Sequence, residues 1–250
     1  MNLKKKLLNR KNVYGTWINI NNILIPEILS QANFDWFCID LEHSSIDYND
    51  VVNLIISSEN SKCTPLVRVP ENNESTIKRV MDIGATGVIV PNIKNASEAL
   101  KAVNSIKYHP KGKRGVGLFR AQKYGTKFKK YFQENNKNSI AILQIEHIEA
   151  VNNIEEIGNI EGIDCFFVGP YDLTSSMGIP GEFNNPKYKK VLKKILDYCK
   201  YSKKSVGIHS VSTDYKNAVK YKKMGFNVIG MSIDTIMLRD MAINILNKIK

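Results

Sequence analysis

"WFCIDLEHSS", residues 36–45, begins as a strand buried on both faces and ends as something else. Trp36, Phe37, Cys38 and Ile39 form an unbroken apolar run, and Asp40, Glu42 and His43 then crowd its end. A half-exposed antiparallel strand alternates apolar and polar residues. A run without alternation suits a parallel strand covered on both sides. Ionisable groups at the end of such a run are what an α/β barrel places at its active-site mouth.

The same pattern recurs on either side. "VYGTWINI" (13–20) reads as a strand before it, followed by an amphipathic helix over 24–32. After it come a helix around 47–60, the strand "TPLVRV" (64–69) and a helix around 74–82. "GVIVPN" (87–92) precedes a helix around 95–106. A connection rich in glycine and basic residues (107–125) and a polar helix (126–137) lead to "SIAILQIEH" (139–147) and a helix to about 157. "IDCFFVGP" (163–170) is followed by a Gly/Pro-rich loop to 186 and a lysine-rich helix over 187–202. "SVGIHS" (205–210), a helix over 213–223, "NVIGMSI" (227–233) and a helix to about 249 complete the series. Eight strand–helix units in this length close most simply into a (β/α)8 TIM barrel, one domain spanning residues 1–250. A doubly wound open sheet is the alternative, but it calls for a Gly-rich turn after an early strand, and the first strand here has none.

Composition excludes several function classes. The 43% hydrophobic content is that of a globular protein, and 250 residues bury a core without staples. Cys38, Cys63, Cys165 and Cys199 stand at neither metal-ligand nor redox spacing and read as reduced thiols of a cytoplasmic protein. "MNLKKKLLNRKN" opens like a leader but lacks its apolar stretch, and no run nears the roughly 18 residues that span a bilayer. No membrane partner is expected. The net charge of +12 raises the question of nucleic acid. The lysines, however, are spread over nearly every helical segment, and no helix-turn-helix, zinc-finger or aromatic RNA-binding pattern occurs. No nucleic-acid partner is expected, and a basic surface is compatible with an anionic small substrate.

Four strand ends carry chemistry. The second ends in Asp40, Glu42 and His43, the third in Arg68, the fifth in Gln144, Glu146 and His147, and the sixth in Gly169, Pro170, Tyr171 and Asp172. Glu146 and Asp172 lie on neighbouring strands. As hard oxygen ligands they suit Mg²⁺ or Mn²⁺; the competing reading is a pair of rim salt bridges. Arg68 offers a planar fork for a carboxylate or an enolate oxygen, or an internal ion pair with Glu42 or Asp82. His43, among acidic neighbours, suits a general base near neutral pH. Backbone N–H groups in "VGPYDL" are placed to hold a carboxylate.

In order along the chain, "FDWFCIDLEHS", "PLVRVP", "MDIGATGVIVPNI", "KYHPKGKRGVG", "QIEH" and "FVGPYDLTSSMGIPG" resemble the HpcH/HpaI aldolases, metal-dependent 2-oxo acid aldolases of the phosphoenolpyruvate/pyruvate barrel superfamily. The resemblance covers about residues 12 to 235. It implies reversible cleavage of a 4-hydroxy-2-oxo acid to pyruvate and an aldehyde. Glu146 and Asp172 then hold a divalent metal (Mg²⁺, Mn²⁺ or Co²⁺), His43 is the base, and Arg68 steadies the enolate. Gln144 contacts pyruvate, and Gly169, Pro170, Tyr171 and Asp172 receive its carboxylate. Asp40 and Asp82 support the histidine, Asp82 across a subunit boundary. The resemblance also implies a homo-trimer or homo-hexamer with the last helix exchanged between subunits. Leu41 and Tyr171 depart from the glycine and the small residue common in relatives, which leaves the pyruvate end intact and the aldehyde open. His147 reads as structural. Two other readings stand beside the aldolase: a related lyase or hydrolase acting on a CoA ester or another oxo acid, with the lysines of 107–114 as candidate phosphate contacts, and a basic nucleic-acid-binding barrel.

Overall fold

Eight short parallel strands pair in sequence order, and the last returns to the first. They are β1 (Val13–Ile18), β2 (Trp36–Asp40), β3 (Thr64–Arg68), β4 (Gly87–Val90), β5 (Ile140–Ile145), β6 (Cys165–Val168), β7 (Ser205–Ser210) and β8 (Val228–Ile233). Pairing of Val13 with Val228 and of Tyr14 with Ile229 closes the barrel and excludes an open sheet. The computed structural model describes residues 1–250.

Helix α1 (Leu3–Leu8) precedes β1. Helices α2 (Leu24–Ser30), α3 (Tyr48–Asn60), α4 (Glu74–Ile83) and α5 (Ala96–Ile106) follow the first four strands in turn. Helix α6 (Phe128–Asn138) leads into β5, after which α7 (Ile148–Asn152) and α8 (Ile154–Gly158) form two short pieces. Helices α9 (Pro170–Ser176) and α10 (Pro186–Tyr201) follow β6, α11 (Tyr215–Met224) follows β7, and α12 (Asp234–Asn247) follows β8. No helix is long and apolar enough to cross a membrane.

Two helices depart from the sequence reading. The segment expected to be a loop after β6 opens with α9, where Pro170 takes the first helical position; its fixed φ and missing N–H suit that position. The lysine-rich N-terminus forms α1, capped by the Asn2 side chain, which accepts from the Lys5 N–H. Leu3 and Leu7, one turn apart, are buried against the barrel interior. Lys4 reaches across the floor to Asp164 (2.5 Å) and to the Ser139 carbonyl (3.0 Å).

The interior is filled by Trp17, Trp36 and Phe167, with the two indoles edge to face at 5.4 Å. Glycines make the room. A methyl group on Gly15 would lie 2.0 Å from the Trp36 ring, and one on Gly230 would lie 2.4 Å from Trp17. Between strands and helices a larger apolar layer forms the outer core. The inner filling stops below the C-terminal mouth, so the strand ends there carry polar side chains into a cleft.

Candidate active site

The site is built on the β2–β3 register, which sets Asp40 beside Arg68. Both are buried. Arg68 donates through Nε to Asp40 Oδ1 (2.9 Å) and through Nη2 to Oδ2 (2.6 Å), a bidentate fork. Burial pushes the Asp40 carboxyl up, but the Arg68 guanidinium outweighs it and holds the group below its ordinary 3.8. Asp40 Oδ1 also accepts the backbone N–H groups of Glu42 (3.0 Å) and His43 (3.4 Å), pinning the turn after β2. Asp40 therefore holds Arg68 and the backbone rather than the imidazole. Glu42 is the acid near the ring: its Oε2 is 3.7 Å from His43 Nε2 and 3.2 Å from Arg68 Nη1. The His43 side chain is 65% exposed, open to the cleft mouth.

Across the mouth, Glu146 follows β5 directly. Its Oε1 accepts from the Asn92 N–H at 2.7 Å, and its Oε2 accepts from the Gln144 amide. Asn92 has φ +52°, a left-handed conformation that asparagine tolerates better than most residues and that aims its N–H at Glu146. Gly169, before α9, packs so closely that a Cβ there would lie 2.7 Å from Glu146 Oε2. Asp172 sits in the first turn of α9.

A cleft of about 400 Å³ opens between these elements, lined by Glu42, His43, Asn92, Lys94, Glu146, His147, Asp172, Ser175 and Ser176, with no hydrophobic residue. Burial lifts Glu42 to about 7; Arg68 lowers it, while Asp40 and Asp172 repel it. Glu146 is lifted to about 7 by burial, with repulsion from Asp172 and Glu42 added. Gln144 Oε1 is buried without a hydrogen-bond donor, and Glu42 Oε2 is buried with Arg68 Nη1 at 3.2 Å but makes no hydrogen bond to it. Mutually repelling carboxylates and donor-starved oxygens are what a divalent cation with bound substrate oxygens relieves, so the residues fit such an ion. Glu146 and Asp172 form no cluster with a third acid, histidine or cysteine close enough to complete a cage. Water or substrate must supply the remaining ligands.

Asp82 stands outside this cluster in the single chain. At the C-terminal end of α4 it accepts from Arg114 Nη2 at 2.5 Å and from Gln122 Nε2 at 3.4 Å. The ion pair considered between Arg68 and Asp82 does not form; Asp40 and Glu42 take that place. His147 caps α7, its Nδ1 accepting from the Glu149 N–H at 3.2 Å, and also lines the cleft. Tyr171 is 54% exposed and packs edge to face on Phe183 at 5.0 Å. Leu41 packs against the outer core. The lysine connection does not form a groove at the mouth. Lys107 and Arg114 are buried, and Lys107 Nζ donates to Ser139 O (2.7 Å) at the barrel floor.

Three residues support the site without having drawn notice in the sequence. Asn19 donates to Asp40 Oδ2 (3.3 Å) and to the His43 carbonyl (3.0 Å), and its own N–H is held by Asp234 at the start of α12. His209 stacks on Trp17 at 4.1 Å and meets the Ser232 carbonyl at 3.0 Å; burial, with Arg68 adding, pushes it down to about 4. Asn92 is the third. A polar residue ending an apolar run is the signal that could have found Asn19 and His209.

Residues 13–240 match the family HpcH/HpaI aldolase/citrate lyase. The chain belongs to this family. As an HpcH/HpaI family member it is a carbon–carbon lyase, an aldolase. It is 33% identical over 237 residues to a 2-dehydro-3,6-dideoxy-6-sulfogluconate aldolase from Pseudomonas putida, covering 94% of this chain and 92% of the relative. A 5-keto-4-deoxy-D-glucarate aldolase from Shigella boydii is also 33% identical, with 94% and 91% covered. The crystal structure of an HpcH/HpaI aldolase/citrate lyase family protein from Burkholderia cenocepacia superposes with a TM-score of 0.93 at 30% identity, covering 99% of this chain and 98% of that one.

Proposed function

We propose that this aldolase reversibly cleaves a 4-hydroxy-2-oxo acid to pyruvate and an aldehyde, using Mg²⁺, Mn²⁺ or Co²⁺ held by Glu146 and Asp172. The observation that carries the reading is the convergence of Glu42, Glu146 and Asp172 on one wholly polar cleft beside a buried, Asp40-anchored arginine. The two relatives, named as aldolases of a dehydro-sulfogluconate and a keto-deoxy-glucarate, support an oxo acid as substrate. A divalent cation bound there would supply Lewis-acid polarisation of the keto oxygen.

The chain's own residues do the rest. Asp40 occupies Nε and Nη2 of Arg68, leaving Nη1 as the donor that faces charge developing on the keto oxygen. Gln144 and the N–H groups of Tyr171 and Asp172 in the first turn of α9, with Gly169 and Pro170 shaping the approach, orient the pyruvate carboxylate. His43 takes the proton from the C4 hydroxyl, so that the C3–C4 bond electrons remain on the pyruvate half as its enolate and the aldehyde departs; a proton delivered to C3 then completes pyruvate. In the synthetic direction the same imidazole returns that proton. Glu42 lies between His43 and Arg68 and ties the base to the cation.

The assembly belongs to the same reading. Leu238, Met241, Ile245 and Leu246 of α12 are at least half exposed, an apolar surface suited to exchange between the subunits of a trimer or hexamer. Asp82 takes part in catalysis only if a neighbouring subunit brings it to another copy's His43. Of the lysines in 107–114, Lys107 is buried and Lys111 and Lys113 are exposed, but none of them lines the cleft, so the CoA-ester reading gains no support there.

The test is lactate-dehydrogenase-coupled pyruvate release from a panel of 4-hydroxy-2-oxo acids, with each metal added back to stripped protein. Glu146→Ala and Asp172→Ala should abolish metal-dependent release. Turnover that persists in EDTA would overturn the reading.

A further inference from the structure

Lys94 carries the only permanent positive charge among the residues lining the cleft. Its backbone is fixed from both sides: the N–H donates to Glu98 Oε2 at 2.7 Å, and the carbonyl accepts from Asn153 Nδ2 at 2.9 Å. The side chain is half-buried, yet the ammonium enters none of the ion pairs of the chain, although Glu42, Glu146 and Asp172 line the same cavity. A cation held at the rim of an acidic cleft and left without a protein partner is placed for an anion that arrives from outside.

We propose that Lys94 binds an anionic oxo-acid group, a terminal carboxylate or sulfonate, at the far end of the substrate, and so selects 4-hydroxy-2-oxo acids whose aldehyde half is itself charged. This rests on the aldolase reading above. Pyruvate's own carboxylate is accounted for by Gln144 and the α9 backbone, so Lys94 is left for the other half. A cleft of about 400 Å³ holds far more than a three-carbon acid. With no hydrophobic residue in its lining, it offers an apolar tail nothing to pack against. With the cation and Arg68 engaged by the pyruvate end, Glu42 repels a tail anion from the inner cleft and Lys94 attracts it at the rim. Selection arises from attraction at one place combined with repulsion elsewhere.

Calorimetric binding of three unreactive or truncated ligands to the full-length, Mg²⁺-loaded protein separates the possibilities. Pyruvate reports the inner end. 2-Oxoadipate and 2-oxohexanoate have equal chain lengths, lack the C4 hydroxyl, and differ in the terminal charge. The wild type should bind 2-oxoadipate about tenfold more tightly than 2-oxohexanoate, with the ratio shrinking as salt is raised. Lys94→Gln should bring the ratio to near one, and Lys94→Arg should retain most of it. A wild-type ratio near one, or a ratio unaltered in Lys94→Gln, overturns the assignment. Equal weakening of all three ligands in Lys94→Gln also overturns it, because Lys94 would then serve as counter-ion to the acidic cluster. Pyruvate binding without tail discrimination leaves the aldolase reading standing. Failure of pyruvate to bind the wild type removes both.

Discussion

Replacing Asp40 by asparagine tests the pair on which the site geometry rests. Asp40 is fully buried, Arg68 is 7% exposed, and two charge-assisted hydrogen bonds of 2.9 and 2.6 Å join them. Without the acid, the guanidinium keeps only Glu42, 3.2 Å away. Removing one partner of a buried pair costs about 3–5 kcal/mol, because the other charge stays behind uncompensated. Asparagine retains one acceptor oxygen, so Asp40→Asn belongs at the lower end, about 3 kcal/mol, and Asp40→Leu nearer the upper. At about 2–4 °C per kcal/mol for a chain of this size, Asp40→Asn should lower Tm by roughly 6–12 °C. Because the folded carboxyl is shifted below 3.8, its contribution is present above that pH and is lost as pH falls through the folded value. Thermal and urea unfolding at one fixed protein concentration, with Arg68→Met and the double variant completing a cycle, measure the coupling directly. A coupling above about 2 kcal/mol is expected. Single losses below about 1 kcal/mol, or additivity within about 0.5 kcal/mol, would refute the claim that this pair organises the mouth.

The raised Glu146 carboxyl, near 7, makes metal binding compete with one proton: Mn²⁺ affinity should be flat above that pH and fall about tenfold per unit below it, and calorimetry showing no change down to pH 5.5 would count against the assignment. In the metal-free protein Glu146 and Glu42, both raised to about 7, should reduce stability as pH rises from 4.5 to about 7, since the folded chain holds protons that the unfolded chain has released, and saturating Mn²⁺ should restore it. Lys107 is pushed down from 10.5 to about 7 by burial, with Lys4 adding, so the unfolded chain binds more protons between those values; stability should climb with pH there by up to about 1.4 kcal/mol per unit, and the climb should vanish in Lys107→Met. Gly169→Ala places a methyl group 2.7 Å from Glu146 Oε2 and should weaken Mn²⁺ binding about tenfold or more, which a Mn²⁺ titration of the variant measures.

The eight strands were legible because parallel strands buried on both faces leave unbroken apolar runs, and each run here is bounded by polar residues. Their ends were less so. Glu42 and His43 fall in the turn after β2, and Glu146 and His147 lie just past β5, because a polar residue at the mouth extends a strand pattern without extending its hydrogen bonds. Helix α9 was hidden by its Gly-Pro start, which reads equally as a turn or as an N-terminal cap. Helix α1 was hidden by its lysines, although Leu3 and Leu7 already had helical spacing. The acids Asp40, Glu42, Glu146 and Asp172 could be gathered from strand order alone. Which acid takes which cation depends on register, and so Arg68 went to Asp40, while Asp82 went to Arg114 from a loop whose path the sequence does not specify.

Helix α1 also bears on the order of events during synthesis. The Leu7 carbonyl accepts from the Ser205 hydroxyl, 198 residues away, and Arg10 donates to the Cys199 carbonyl. These turns therefore lack both partners until the chain beyond residue 199 has been made. The lysines interspersed with its two leucines keep a segment still short of these partners from adhering to its neighbours.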